Sequence, residues 1–394
     1  MSIFRQFKWT RVACYMGYIT QAVANNFMPL LFLTFEKSFG ICLYDISFLI
    51  IINFVTQLTT DLIAARIIDK LNLRAVAVSA QMLAALGLVC MGTLPHLLPS
   101  PYVGLVIATL LCAVGGGLDE VIVSPLMEAC PGDGKEASMS LLHSFYCWGQ
   151  AGVVLVSVGF FALFGIENWS VLASVMALVP FCGGLLFSVV PILRLKGEEG
   201  GTTIRHLFSH KVFIWLLLMI FAGGAAEMVM SQWASTFAEA GLAVEKTVGD
   251  LLGPCMFAVL MGISRIIYTK IANKVDLLPV IVISAILCAA SYLLTALSPL
   301  PILSLVGCGL CGFSVGVFWP GVYSLSAKKV PDGGVPMFAF LAIAGDLGCL
   351  TAPAAAGWIT ELRGGDMRLS FLLAVSIPVL ILLCAGVLKL HSKK

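Results

Sequence analysis

Glu120, Glu227 and Asp346 each interrupt an apolar run, and Arg265 does so with the opposite charge. A charged side chain near the centre of a bilayer costs about 2.5–3.5 kcal/mol on insertion scales, so each of these groups needs a partner, a wet cavity or neutralisation. The chemistry open to them is reversible. A carboxyl takes up and releases a proton, and its oxygens accept hydrogen bonds from a polar solute. Glu120, Glu227 and Asp346 are therefore candidates for binding a proton or a solute, with Arg265 as their counter-charge. The opposing reading makes them buried pairs that only fix how helices pack.

Spacing gives Glu120 the richest company. Within CAVGGGLDEVIVSPLMEACPG, Gly116, Glu120, Ser124 and Glu128 recur every four residues and share one helical face. Asp119 points about 100° away and is expected to take an interhelical hydrogen bond instead. His143, Tyr146, Cys147 and Gln150 share a face of the run that follows, and Gln21 and Asn25 lie in the first run of the chain. Glu227 and Ser231 share another face, with Gln232 and Trp233 beside them, and Tyr268 follows Arg265. Trp233 and Trp319 are candidates to stack on a ring of a bound solute, against the alternative that membrane tryptophans pack or anchor at interfaces. The five histidines (His96, His143, His206, His210, His391) form no metal-ligand cluster, and the 13 cysteines lie mostly inside apolar segments, where they read as small buried hydrophobes. Neither a metal, a cofactor nor a catalytic set is expected.

The elements that must position these residues are membrane helices. The chain is 60% hydrophobic and 11% charged, where a soluble protein carries roughly 25% charged residues. Apolar segments of about the 20 residues needed to cross a bilayer fall at 10–35, 45–66, 74–97, 101–129, 137–165, 168–193, 212–239, 249–271, 277–298, 301–328, 335–361 and 368–390. The expected fold is thus an all-α membrane protein with twelve transmembrane helices in two pseudo-symmetric six-helix bundles, 1–193 and 212–394. The polar stretch 194–211 is read as a cytoplasmic linker between them. A net charge of +2 points to no nucleic acid, and lipid is the solvent for nearly all the rest.

Basic residues set the orientation, because cytoplasmic loops hold an excess of Lys and Arg. With both termini cytoplasmic, only Lys37, Lys246, Arg363 and Arg368 fall on the outer side. An internal repeat supports the two halves: Gly116, Ser124, Pro131 and Gly134 recur 200 residues later as Gly316, Ser324, Pro331 and Gly334. At the end of the second segment, DLIAARIIDKLNLR carries Asp61, Asp69, Lys70 and Arg74, read either as a solvated loop or as a charge latch that holds helix ends together in one conformation.

That loop resembles the G-x-x-x-D-[RK]-x-G-[RK]-[RK] signature of the major facilitator superfamily. Asp69, Lys70 and Arg74 match it, while Ala65, Asn72 and Leu73 depart from it; Asn72 is expected to take the left-handed turn of the signature glycine. Within the superfamily, Gly115, Gly117, Glu120, Ser124 and Pro125 resemble the fourth-helix pattern G-x-G-x-x-E-x-x-x-N-P of fucose permease-type sugar:proton symporters, with Ser in place of Asn. The string LLHSFYCWGQ is similar to their fifth helix. The resemblance implies a monomeric secondary active transporter in the cytoplasmic (inner) membrane. It would carry a small polar organic solute, such as a sugar, by alternating access coupled to protons, with Glu120 handling solute and proton. The acidic residue of the family's first helix has no counterpart, since Gln21, Asn25 and Asn26 stand in that segment. The rival readings are a proton-coupled exporter of drugs or metabolites and, from another class, a non-transporting membrane receptor.

Overall fold

The computed structural model describes residues 6–67, 72–131, 135–192, 204–271, 275–331 and 333–391, which are helical and contain no strand. The helices are α1 (Phe7–Asn26), α2 (Phe32–Phe39), α3 (Leu43–Ile67), α4 (Leu73–Leu97), α5 (Pro101–Ala129), α6 (Lys135–Phe164), α7 (Trp169–Met176) and α8 (Leu178–Val189), then α9 (Ile204–Ser209), α10 (Lys211–Thr236), α11 (Lys246–Asp250), α12 (Met256–Ile271), α13 (Leu277–Leu297), α14 (Pro301–Val315), α15 (Phe318–Lys329), α16 (Gly334–Leu362), α17 (Met367–Ala374) and α18 (Ser376–His391). Eleven stretches are long and apolar enough to cross a membrane. The twelfth span is α1, whose 20 residues reach about 30 Å at 1.5 Å per residue. Thr20, Gln21, Asn25 and Asn26 dilute its hydropathy.

Several spans are broken where proline or glycine interrupts the hydrogen-bond ladder. Pro29 sits in a 3-10 turn, Met28–Leu31, between α1 and α2. Pro254 sits in a π turn, Leu251–Cys255, between α11 and α12. α7 yields to α8 at Ala177, three residues before Pro180, and α17 yields to α18 at Val375, three residues before Pro378. A proline removes one donor and crowds the carbonyl four residues back, so a break one turn upstream is its expected signature. Its recurrence in the sixth and twelfth spans repeats one design in both halves.

The chain divides into two compact units, Met1–Gly197 and Glu198–Lys394. The linker expected at 194–211 lies largely outside the described residues; α9 and the start of α10 are its described part. In the first unit α5 is the hub, packing on α1, α3, α4 and α6. Gly115 makes the α4 contact possible, since a Cβ there would lie 2.6 Å from the carbonyl oxygen of Ala80. In the second unit α10 packs on α16 and α18, and α14 on α12 and α13. Gly348 of α16 lies against α10, where a Cβ would collide with the carbonyl oxygen of Phe221. Such small-residue contacts are how helices pack closely in lipid.

Arginines tie helix ends together inside each unit. Arg74, at the start of α4, donates to the carbonyls of Phe187 (2.9 Å), Ser188 (2.6 Å) and Val190 (2.8 Å) at the end of α8. Arg368, at the start of α17, donates to Ala296 (3.2 Å) and Ser298 (2.7 Å) at the end of α13. Both satisfy carbonyls that a helix C-terminus leaves without partners. Asn72 is extended, at φ −75° and ψ 105°, and its side chain accepts from the backbone N–H of Arg74 and Ala75. The left-handed turn expected there is therefore replaced by an N-cap.

Candidate solute and proton site

In the first unit, α1, α3 and α5 meet at Glu120. Gln21 Nε2 from α1 donates to Glu120 Oε2 at 2.7 Å, and Gln57 Nε2 from α3 donates to the same oxygen at 2.6 Å. The seam continues on both sides. Tyr18 Oη and Ser124 Oγ are 2.9 Å apart, Asn53 Nδ2 donates to Asn25 Oδ1 at 3.2 Å, and Asn26 Nδ2 donates to Tyr146 Oη at 3.1 Å. The His143 ring is exposed and meets the Tyr18 ring edge-on, 5.1 Å between centroids. Gln150 is buried on α6 two turns further along. These groups offer a carboxylate, amides and hydroxyls along facing helices, the inventory that binds a hydroxyl-bearing solute.

Asp119, the neighbour of Glu120, faces away from the seam. Gln81 Nε2 donates to its Oδ2 at 2.6 Å, and Thr20 Oγ1 donates to Gln81 Oε1 at 2.8 Å. This chain of bonds fastens α5 to α4 and α1.

Asp61, one of the residues grouped in the expected latch, reaches α5. Its carboxylate lies against α5, where a Cβ on Gly117 would fall 2.7 Å from Asp61 Oδ1. Carboxylate oxygens of Asp61 and Glu120 come within 4.8 Å of each other. At an effective dielectric of about 20, two negative charges at 4.8 Å repel by about 3.5 kcal/mol, so the amide donors on Glu120 have real work to offset. Arg74 caps α8, and Asp69 and Lys70 lie outside the described residues. Asp61 thus lies near Glu120 in this structure.

The second unit holds a different pair. Glu227 Oε2 on α10 lies 3.5 Å from Arg265 Nη2 on α12, both largely buried, which is the counter-charge expected from sequence. Gln232 is buried one turn on, its Nε2 4.0 Å from Met228 Sδ. Trp233 is 1% exposed and its indole N–H donates to the carbonyl of Pro353 at 2.8 Å, so the ring packs α10 against α16. Trp319 is half-buried; it stacks on Tyr323 (6.2 Å), which stacks on Phe338 (5.6 Å), and it also packs against Gly345. Asp346 follows Gly345 on α16 and is half-buried.

Sequence reasoning passed over Tyr18, Asn53 and Gln57. Asn53, Gln57 and Asp61 recur every four residues in α3, the same stripe that drew attention to Glu120. It also passed over a cluster where α10 gives way to α11: Lys246 Nζ lies 3.2 Å from Asp250 Oδ2 and 3.9 Å from Glu239 Oε2, and Ser235 Oγ donates to Asp250 Oδ1 at 2.5 Å.

A profile described as the Major Facilitator Superfamily matches residues 14–337. The chain belongs to the major facilitator superfamily. This facilitator is consequently a multi-pass membrane transporter of a small-molecule solute, not an enzyme. Among solved structures it is similar to the Escherichia coli fucose:proton symporter (TM-score 0.62, 16% identity, 95% of this chain and 97% of that chain). It is similar to the same symporter in an outward conformation (TM-score 0.63, 16% identity, 95% and 97%). A nucleoside transporter aligns with TM-score 0.74 at 14% identity, over 96% and 98% of the two chains. At these identities the likeness speaks for the fold. No curated protein matches this facilitator in sequence.

Proposed function

We propose that this facilitator is a secondary active transporter that carries a small polar organic solute, a sugar or a sugar-containing compound, by alternating access coupled to protons through Glu120. The observation that carries the reading is the Glu120 carboxylate, held by two neutral amides on one oxygen within a seam of hydroxyls and amides. Amide donors position a carboxylate without cancelling its charge, so it stays available to a proton or to solute hydroxyls. Two named neighbours support the solute class: one is a fucose:proton symporter and the other a nucleoside transporter, and a sugar ring is the chemistry common to both solutes. The basic-residue distribution supports an orientation with both termini on the cytoplasmic side.

The stacked run Trp319, Tyr323 and Phe338 favours a second reading, in which the solute also presents a flat ring, as a nucleoside does. Competition between unlabelled uridine and labelled fucose in uptake decides between the two.

The test is accumulation in proteoliposomes under an imposed pH gradient, with labelled fucose, other sugars and uridine as probes. Accumulation above equilibrium is expected for the native chain. Glu120→Gln is expected to abolish it while sparing exchange. Unchanged uphill transport in Glu120→Gln would remove this residue from coupling.

A further inference from the structure

We infer that Asp61 is the second member of the proton-carrying site, so that one proton is taken up by an Asp61–Glu120 carboxyl pair built from the second and fourth spans. The inference rests on the proton-coupled reading above and assigns the partner that reading lacks, since the first span carries no acid between Arg11 and Glu36.

Three features build the pair. Gly116 and Gly117 remove side chains from α5 where α3 crosses it, which lets the Asp61 carboxylate reach the helix that bears Glu120. Carboxylate oxygens of the two residues come within 4.8 Å, a separation at which two like charges share a proton more cheaply than they both ionise. Gln57 sits one turn before Asp61 and is 5% exposed; its Nε2 holds Glu120, while its Oε1 is buried without a hydrogen-bond partner. That carbonyl is the independent sign of a missing hydrogen. Ionised carboxylates only accept, whereas a protonated carboxyl donates, so uptake of a proton by either acid creates the donor that Gln57 Oε1 lacks. The pair then passes from two negative charges to one, and release of the proton restores the starting state with no other bond changed.

The neighbouring titratable groups of the first unit are engaged in other ways. Asp119 on α5 takes the Gln81 amide, Tyr18 on α1 bonds Ser124, and Arg11 on α1 donates to the Pro131 carbonyl. Arg74 on α4 caps α8, and His143 on α6 stands edge-on to Tyr18.

The experiment needs no solute. Native protein in liposomes is stepped between roughly pH 5 and pH 8.5. The protonated-carboxyl C=O stretch is followed by infrared difference spectroscopy. A titrating band is expected in the native chain and is lost in both Asp61→Asn and Glu120→Gln, because each removes half of one site. Gln57→Met keeps both acids and is expected to move the midpoint by at least half a pH unit, which covers the case in which Asp61→Asn fails to fold. A band that disappears in Glu120→Gln but persists unshifted in Asp61→Asn overturns the role of Asp61 and leaves Glu120 as a lone carrier. A band that persists in both variants defeats the proton-coupled reading itself. Loss of the native band on adding sodium chloride at fixed pH overturns the proton in favour of a sodium ion.

Discussion

Removing Arg265 while leaving Glu227 in place is the sharpest perturbation of the second unit. At 3.5 Å and an effective dielectric of about 20, the attraction between the two charges is about 5 kcal/mol. Part of this is offset by the cost of taking both groups out of water. Breaking such a buried pair from one side is destabilising by about 3–5 kcal/mol, because it strands the other charge. Arg265→Met is therefore expected to lower the unfolding free energy by about 3–5 kcal/mol. Adding Glu227→Gln to it is expected to recover about 2 kcal/mol or more, since no charge is then left alone. The assay is a double-mutant cycle in detergent, with unfolding by sodium dodecyl sulfate followed by tryptophan fluorescence, and with the two single variants, the double variant and the native chain compared. Arg265→Lys should fall between native and Arg265→Met, because a lysine keeps the charge but not the planar fork. Single-variant effects that add in the double within about 0.5 kcal/mol would refute the pairing.

Asp119→Asn is expected to keep uphill transport, in contrast to Glu120→Gln, because its neutral amide still accepts from Gln81; uptake under a pH gradient checks it, and the stability cost should be about 1 kcal/mol. Gly348→Leu forces α16 off the Phe221 carbonyl of α10 and should destabilise by about 1–3 kcal/mol. Gly386→Leu on α18, where no atom lies within 4 Å of the added Cβ, should be nearly neutral in the same dodecyl sulfate unfolding assay. Glu245, at the loop before α11, accepts from the backbone N–H of Thr247 (3.0 Å) and Val248 (3.2 Å), and these bonds hold its carboxyl below the usual range. A lowered folded value means the cap is fully formed above the ordinary glutamate value of about 4.3 and is lost as pH falls through the lowered one. Protection of the Thr247 and Val248 amides, taken relative to intrinsic exchange at each pH, should fall only in acid and should be absent at every pH in Glu245→Ala.

Apolar run length carried most of the fold. Segments read at 74–97, 101–129 and 277–298 correspond to Leu73–Leu97, Pro101–Ala129 and Leu277–Leu297. The breaks at Pro29, Ala177, Val375 and Gly316 escaped that reading, because hydropathy measures apolar length and not the continuity of the backbone ladder. In the site, four-residue spacing was enough to single out Glu120 and Ser124, and Gln21 emerged as its partner. Asp61 was grouped with Asp69, Lys70 and Arg74 because they follow it closely in sequence, a proximity that says nothing of the α5 carboxylate near it in space. Trp233 shows the other limit. In a chain that is apolar on every face, sequence does not separate a ring that lines a cavity from one enclosed between α10 and α16.

The two units share a skeleton and differ in charge chemistry. Both break their last span three residues before a proline, and both use an arginine to cap a neighbouring helix end. Their acids within the spans are held in opposite ways: half-buried Glu120 by two neutral amides, buried Glu227 by a guanidinium. Protonating Glu227 would strand Arg265 as a lone buried cation, an expensive step. Protonating Glu120 strands nothing and relieves repulsion with Asp61. Under a proton-coupled mechanism the load is therefore expected to fall on the first unit, with the Glu227–Arg265 pair holding α10 to α12.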